Sequence, residues 1–223
     1  DISPNAHHID GLIRFESDLA YEVYKFLRSN IFPMVIGGDH SIAIGSVSGT
    51  KMAFPNERLG VVWIDAHADL HSPWTTPSGN VHGMPLALLM NIEKKGRNQP
   101  RVFTMDTWDR LRKIGMSGPK LLPTDLVYIG LRDFEAEEDA IIREHGIKVI
   151  TVEQLREKGA QQVVAETFAH LTACEKIHVS FDVDSLDPSI SVGTGTPVPG
   201  GLTLDEARTL LTGFCADPKT ATL

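Results

Sequence analysis

Between residues 11 and 29, Leu12, Phe15, Leu19, Val23 and Phe26 recur at spacings of three and four, with Ala20 and Leu27 beside them. That stripe predicts an amphipathic helix with one face against a core. Further along, the period changes. MVIG (34–37), LGVVWID (59–65), LVYIGL (126–131), IKVI (147–150) and IHVSFDV (177–183) are short apolar runs rich in β-branched residues, the pattern of strands buried on both faces of a parallel sheet. Helix-like segments separate these runs, and the alternation implies an α/β fold. Thr151 with Gln154, and Thr203 with Glu206, mark two helix starts: a side-chain oxygen can accept the third backbone N–H while the later side chain reaches back. Residues 93–124 are charged and punctuated by Gly and Pro, which predicts a surface excursion with one short helix.

Composition narrows the picture. With 223 residues, 42% of them hydrophobic, the chain can bury one substantial core, so one domain over residues 1–223 is expected. A formal net charge of -8 argues against nucleic acid as a partner, because a phosphate-binding surface needs a basic footprint. Cys174 and Cys215 are far apart and lack C-x-x-C spacing, so neither a disulfide framework nor a thiolate metal site is expected and a reducing compartment fits. No apolar run approaches the ~20 residues that span a bilayer, and the N-terminal DISPNAHHID has no signal-peptide pattern. The expected setting is the cytoplasm, with no membrane partner.

The chemistry concentrates where predicted strands end. In WIDAHADLHSPWTTPSGNVHG (63–83), Asp65, His67 and Asp69 would share one side of the chain if the strand continued through them. Asp182 and Asp184 pair likewise after IHVSFDV, and His40 follows MVIGGD. In open parallel sheets the carboxyl edge is where ligand sites form, so three separate strands would deliver these side chains to one rim. Four carboxylates gathered there would repel one another, and burial would penalise each charged form. Two divalent cations would cancel the four charges. An oxygen-rich set with two imidazoles favours Mn²⁺, ahead of Fe²⁺, Co²⁺ or Zn²⁺.

GGDHSIAIGSVSG (37–49), DAHADLHSPWTTPSGNVHG (65–83), YIGLRDFEAEE (128–138) and SFDVDSLDPSISVGTGTPVPGG (180–201) resemble the ureohydrolases, and within them the arginases, over most of the chain. That resemblance implies a three-layer α/β/α sandwich with a mainly parallel sheet, and a pair of Mn²⁺ ions that generate a metal-bridging hydroxide to cleave L-arginine to L-ornithine and urea. It implies Asp65 and Asp182 as carboxylates bridging both ions, His40 and Asp69 completing one, and His67 and Asp184 the other. It further implies Asp69 and His82 as catalytic, His82 as a proton shuttle, a role suited to an imidazole titrating near neutrality. Thr76, Ser78, Asn80, Glu135, Glu138 and Thr196 match positions near the substrate. His71 stands where arginases typically carry an asparagine that helps bind the amino-acid head group, and Glu135 where an aspartate is commoner. The family's terminal strands, including an acid that grips the guanidinium, would fall outside these residues. Homo-oligomers, trimers or hexamers, are implied too. Agmatine and formimidoylglutamate are the competing substrates, and an inactive interaction module of the same fold is the rival of a different class.

The remaining residues have structural expectations. Asp39 is expected to orient an active-site imidazole, Asp187 with Pro188 to set a turn, and His7, His8, His145, His170 and His178 to serve solvent or core roles.

Overall fold

The computed structural model describes residues 3–223. The first amphipathic stripe forms α1 (Ile9–Arg28). A 3-10 turn over His40–Ile42 then leads into α2 (Ala43–Ala53). The apolar runs become β1 (Leu59–Ile64), β2 (Leu126–Ile129), β3 (Lys148–Ile150) and β4 (Lys176–Phe181), with β5 (Thr220–Thr222) closing the series. Between them lie α3 (Pro85–Met90), α4 (Val102–Arg112), α5 (Ala136–His145), α6 (Val152–Lys158), α7 (Ala160–His170) and α8 (Leu204–Cys215). The 93–124 excursion thus carries α4, as its punctuation predicts. Both anticipated helix starts are reciprocal capping boxes, Thr151 with Gln154 and Thr203 with Glu206.

All pairings are parallel, in the order β3-β2-β1-β4-β5. β1 and β2 are buried on both faces, and their side chains alternate between two cores. Leu59, Val61 and Trp63 pack with Leu126 and Tyr128 against apolar side chains of α2, α3 and α4. Val62 and Ile64 pack with Val127, Ile129, Ile177 and Val179 against side chains of α6, α7 and α8. The result is the α/β fold that strand–helix alternation implies, in the three-layer form that the resemblance implies. α1 and α2 approach closely because α2 presents glycines to α1. A Cβ on Gly49 would lie 2.4 Å from the Ala20 carbonyl oxygen, and one on Gly45 would lie 2.7 Å from Glu16 Oε2.

One strand expectation fails. Residues 34–37 are not a strand: Val35 N–H donates to the Leu223 carbonyl at 2.7 Å and Leu223 N–H to that of Pro33 at 3.2 Å, while Met34 and Ile36 are exposed. The run lies alongside the end of β5 without a continued ladder, so its apolar side chains read as a buried strand without being one. No helix among the described residues is long and apolar enough to cross a membrane.

Strand order reverses at β1: the chain steps outward through β2 and β3, then returns to the other side of β1 with β4. Such a switch leaves a crevice beyond the carboxyl ends of the central strands. Each of the chemically rich segments enters it.

Candidate metal centre

β1 ends at Ile64, and Asp65 N–H donates to the Ile129 carbonyl at 3.1 Å. From there the chain departs from the continued strand anticipated above, and Asp69 takes a left-handed backbone with φ 50°, which an aspartate tolerates better than most residues. The side chains converge nonetheless. His40 Nδ1 lies 2.8 Å from Asp65 Oδ2, 3.0 Å from Asp69 Oδ2 and 3.2 Å from Asp182 Oδ2. His67 Nδ1 lies 3.1 Å from Asp184 Oδ2 and 3.5 Å from Asp65 Oδ1. Two triads result, His40–Asp65–Asp69 and Asp65–His67–Asp184, each with one ligand atom per residue inside a 4.8 Å span. Asp65 belongs to both. Asp182 joins the His40 side, and its Oδ1 accepts the Asp184 N–H at 2.9 Å.

His40 and Asp184 are held from behind. His40 stacks on Trp63 of β1, ring centroids 4.0 Å apart and planes within 10°, and its Nε2 meets Ser180 Oγ at 2.7 Å. Ser180, not Asp39, is therefore the outer partner of that imidazole; Asp39 instead accepts the Ser41 N–H and hydroxyl and caps the 3-10 turn. Ser180 is two residues before Asp182, so strand periodicity places both on one side of the chain, a signal the sequence carries. Thr196 Oγ1 donates to Asp184 Oδ2 at 3.1 Å. Arg132 ties the loops together: its guanidinium donates to the carbonyls of Asp184 and Val198, both at 2.8 Å. No sequence period marks that residue.

Charge alone leaves this cluster unresolved. Burial and the negative charge of Asp65 push the Asp69 carboxyl up to about 7. Burial also works against ionised Asp65, but the neighbouring imidazoles of His40 and His67 outweigh it and hold that carboxyl below the usual range. Burial lowers the His67 imidazole, yet Asp184 and Asp65 together carry it up to about 11. The geometry shows where the mismatch lies. His40 Nδ1 and Asp65 Oδ2 are buried without a hydrogen-bond partner among the described residues, although they sit 2.8 Å apart. Two donor atoms that are close but not aligned as hydrogen-bond donor and acceptor suit a cation between them. Carboxylate oxygens with two imidazoles and no thiolate fit a divalent first-row ion in each triad.

A cavity of about 620 Å³ opens over the triads. It is lined by every metal-ligand, catalytic and substrate position that the resemblance implies, among them Thr76, Ser78, Asn80, His82, Glu135, Glu138 and Thr196. His82 sits in a 3-10 turn over Val81–Gly83. The 76–80 loop is braced by its own contacts, Gly79 N–H to Thr76 Oγ1 at 2.9 Å and Asn80 N–H to Ser78 Oγ at 3.1 Å. His7 reaches the Ser78 carbonyl at 3.0 Å, a bracing contact beyond the solvent or core role expected of it. His71, buried, places Nε2 2.9 Å from Glu135 Oε2 and Nδ1 3.1 Å from Thr75 Oγ1. Glu135 and Glu138 form the capping box of α5, with Glu138 buried and Glu135 half-exposed. Burial, then the neighbouring Glu135, pushes the Glu138 carboxyl up to about 8. His178 is buried beneath the site and held down at about 3, by burial first and His40 second. Asp187 sets a turn, accepting the N–H groups of Ser189 and Gly200.

Comparison with known proteins gives a consistent set of matches. A family model described as the Arginase family matches residues 5–222. The arginase of Bacillus subtilis (strain 168) is 38% identical over 201 residues, 90% of this chain and 62% of its own length. Arginase-1 of Homo sapiens is 43% identical over 192 residues, 84% of this chain and 55% of its own. Among solved structures, Entamoeba histolytica arginase in complex with L-ornithine aligns with a TM-score of 0.87 at 32% identity, covering 98% of this chain and 69% of that one. The native arginase of Bacillus caldovelox aligns with a TM-score of 0.85 at 36% identity, covering 98% and 68%. The chain spans little more than half the length of the curated relatives it matches.

Proposed function

Because the chain belongs to the arginase family, we propose that it is a hydrolase of guanidino compounds, cleaving L-arginine to L-ornithine and urea with a pair of Mn²⁺ ions. The observation that carries this reading is Asp65, shared between two triads that each suit one cation. His40, Asp65, Asp69 and Asp182 would hold one ion, and Asp65, His67, Asp182 and Asp184 the other, with Asp182 bridging as Asp65 does. When bound, such a pair supplies a water-derived nucleophile near neutral pH.

The chain's own residues account for the rest. A guanidinium carbon is a poor electrophile because its charge is delocalised, so the cavity must hold the planar group in a near-attack position. Thr76, Ser78, Asn80, His71, Glu135 and Glu138, all lining that cavity, would orient the substrate's amino-acid end, and Thr196, which also lines it, would lie close to the substrate. When the carbon–nitrogen bond breaks, the departing amine needs a proton, and His82 on the cavity wall would deliver it. The same reading extends to a single cytoplasmic domain that assembles as a homo-oligomer, a trimer or hexamer.

Purified protein loaded with Mn²⁺ should release urea from L-arginine. Preference for agmatine or formimidoylglutamate by orders of magnitude would remove the substrate assignment. Less than one ion bound per chain, with no urea from any guanidino compound, would favour an interaction module instead.

A further inference from the structure

Thr76, Ser78 and Asn80 reach the cavity from an irregular loop, and two residues outside the cavity lining grip that loop by its backbone carbonyls. Asn98, in the surface excursion ahead of α4, donates from Nδ2 to the Thr76 carbonyl at 2.7 Å and to the Pro73 carbonyl at 3.2 Å. Its backbone N–H donates to the Trp74 carbonyl at 3.0 Å. His7, ahead of α1, donates its backbone N–H to the Gly79 carbonyl at 2.7 Å and its ring Nε2–H to the Ser78 carbonyl at 3.0 Å. Five carbonyls between Pro73 and Gly79 are thus held by two residues far from them in sequence.

The approach is close on both sides of the contact. A Cβ on Gly96 would lie 2.7 Å from the Trp74 carbonyl oxygen, and one on Gly79, whose φ is +79°, would lie 2.2 Å from the Pro4 carbonyl oxygen and 2.8 Å from His7 Nε2. Glycine at these two positions lets the backbones meet. The Asn98 amide carries two N–H donors, one for each carbonyl, whereas a carboxylate in its place would have none to offer. Next to it, Arg97 Nη2 lies 2.9 Å from Glu137 Oε1 of α5, the helix whose capping residues Glu135 and Glu138 line the same cavity. A loop fixed in this way needs no ordering when a ligand arrives, and that lowers the entropic cost of binding.

We infer that Asn98 and His7 are positioning residues that set selectivity for the amino-acid end of the substrate by fixing the backbone of residues 73–79. The inference rests on the role proposed above for Thr76, Ser78 and Asn80. L-arginine carries the α-carboxylate that this preset loop would bind, and agmatine lacks it. Loosening the grip should therefore cost L-arginine more than agmatine. The cost should fall on KM, because the Asp65-centred triads are built from other segments.

Three variants of the full chain test this. Asn98→Ala removes the donor, Asn98→Asp keeps the shape without it, and His7→Ala releases the other grip. In each, the Gly79 and Asn80 amides, which the loop's own hydroxyls hold, should exchange with deuterium about tenfold faster, the loss of roughly one hydrogen bond. The capping-box amides of α6 and α8 should be unchanged. Unaltered exchange in Asn98→Ala and His7→Ala, or wild-type exchange in Asn98→Asp, would overturn the inference. In the Mn²⁺-loaded protein, the ratio of kcat/KM for L-arginine to that for agmatine should fall about 3- to 10-fold in Asn98→Ala and Asn98→Asp, through a higher KM for L-arginine at constant kcat. Equal losses for the two substrates, or a loss in kcat alone, would defeat the assignment of selectivity. Wild-type and variant proteins that release no urea from any guanidino compound would remove the function proposed above, and the exchange rates would still decide whether Asn98 and His7 fix the loop.

Discussion

At the scale of single residues, chemistry that depends on residue type was legible and support that depends on strand pairing was less so. Asp65, His67, Asp69, Asp182, Asp184 and His40 stand out in the sequence because few reasons other than cations gather carboxylates and imidazoles at strand ends, and the structure brings all six together. Ser180 did not stand out. Its meaning depends on β4 lying beside β1, so that its hydroxyl meets a histidine 140 positions away. Its contact yields a direct expectation. Ser180→Ala should weaken cation binding about 10–100-fold, as loss of a partner behind a ligating imidazole commonly does, with thermal stability of the metal-free protein little changed. Calorimetric titration with Mn²⁺ reads the first quantity and a thermal melt in chelator the second. The same dependence on context explains Asp39, whose sequence neighbour His40 suggested a contact that the 3-10 turn redirects to Ser41.

Between elements, the junction of α1 and α2 carries a titratable device. Glu16 of α1 is fully buried and accepts the Gly45 N–H of α2 through Oε2 at 2.7 Å, while Oε1 is without a partner. Burial raises its carboxyl, the Gly45 contact partly opposes this and Asp39 adds to it, leaving it at about 8 against an ordinary 4.5. The folded protein therefore holds a proton that the unfolded chain releases. Stability should fall as pH rises from about 4.5 towards about 8 and level off above it. Glu16→Gln keeps an acceptor for Gly45 and removes that slope. At pH near 8.5 it should exceed the wild type by on the order of 1–3 kcal/mol, with the gap closing in mild acid. Urea denaturation across that pH range measures it. Hydrophobic period located α1, and capping chemistry located the starts of α6 and α8, because both are local properties. Residues 34–37 show the limit: a short apolar run does not reveal whether a neighbouring strand completes its ladder.

For the whole molecule, the sandwich was legible because each buried strand must be covered on both faces, and the two alternating cores show that it is. What no period could give is the order of strands, which sets β1 between β2 and β4 and so opens the crevice. Ions that bind only the folded chain should stabilise it by mass action, about 2.7 kcal/mol for one site at a hundredfold excess over Kd. Removing divalent ions with a chelator should accordingly lower the Tm, and Mn²⁺ should restore it more fully than Mg²⁺ if imidazoles share in the binding. Equal rescue by both would count against His40 and His67 as ligands.

The placement of Asp65 in both triads also governs kinetics. Its partners come from segments more than a hundred residues apart, His40 before β1 and Asp184 after β4. Loops of that length close late because entropy opposes them until many contacts hold. Cations would then find nothing to grip in a half-formed chain, leaving the rate of refolding untouched while they delay escape from the finished state.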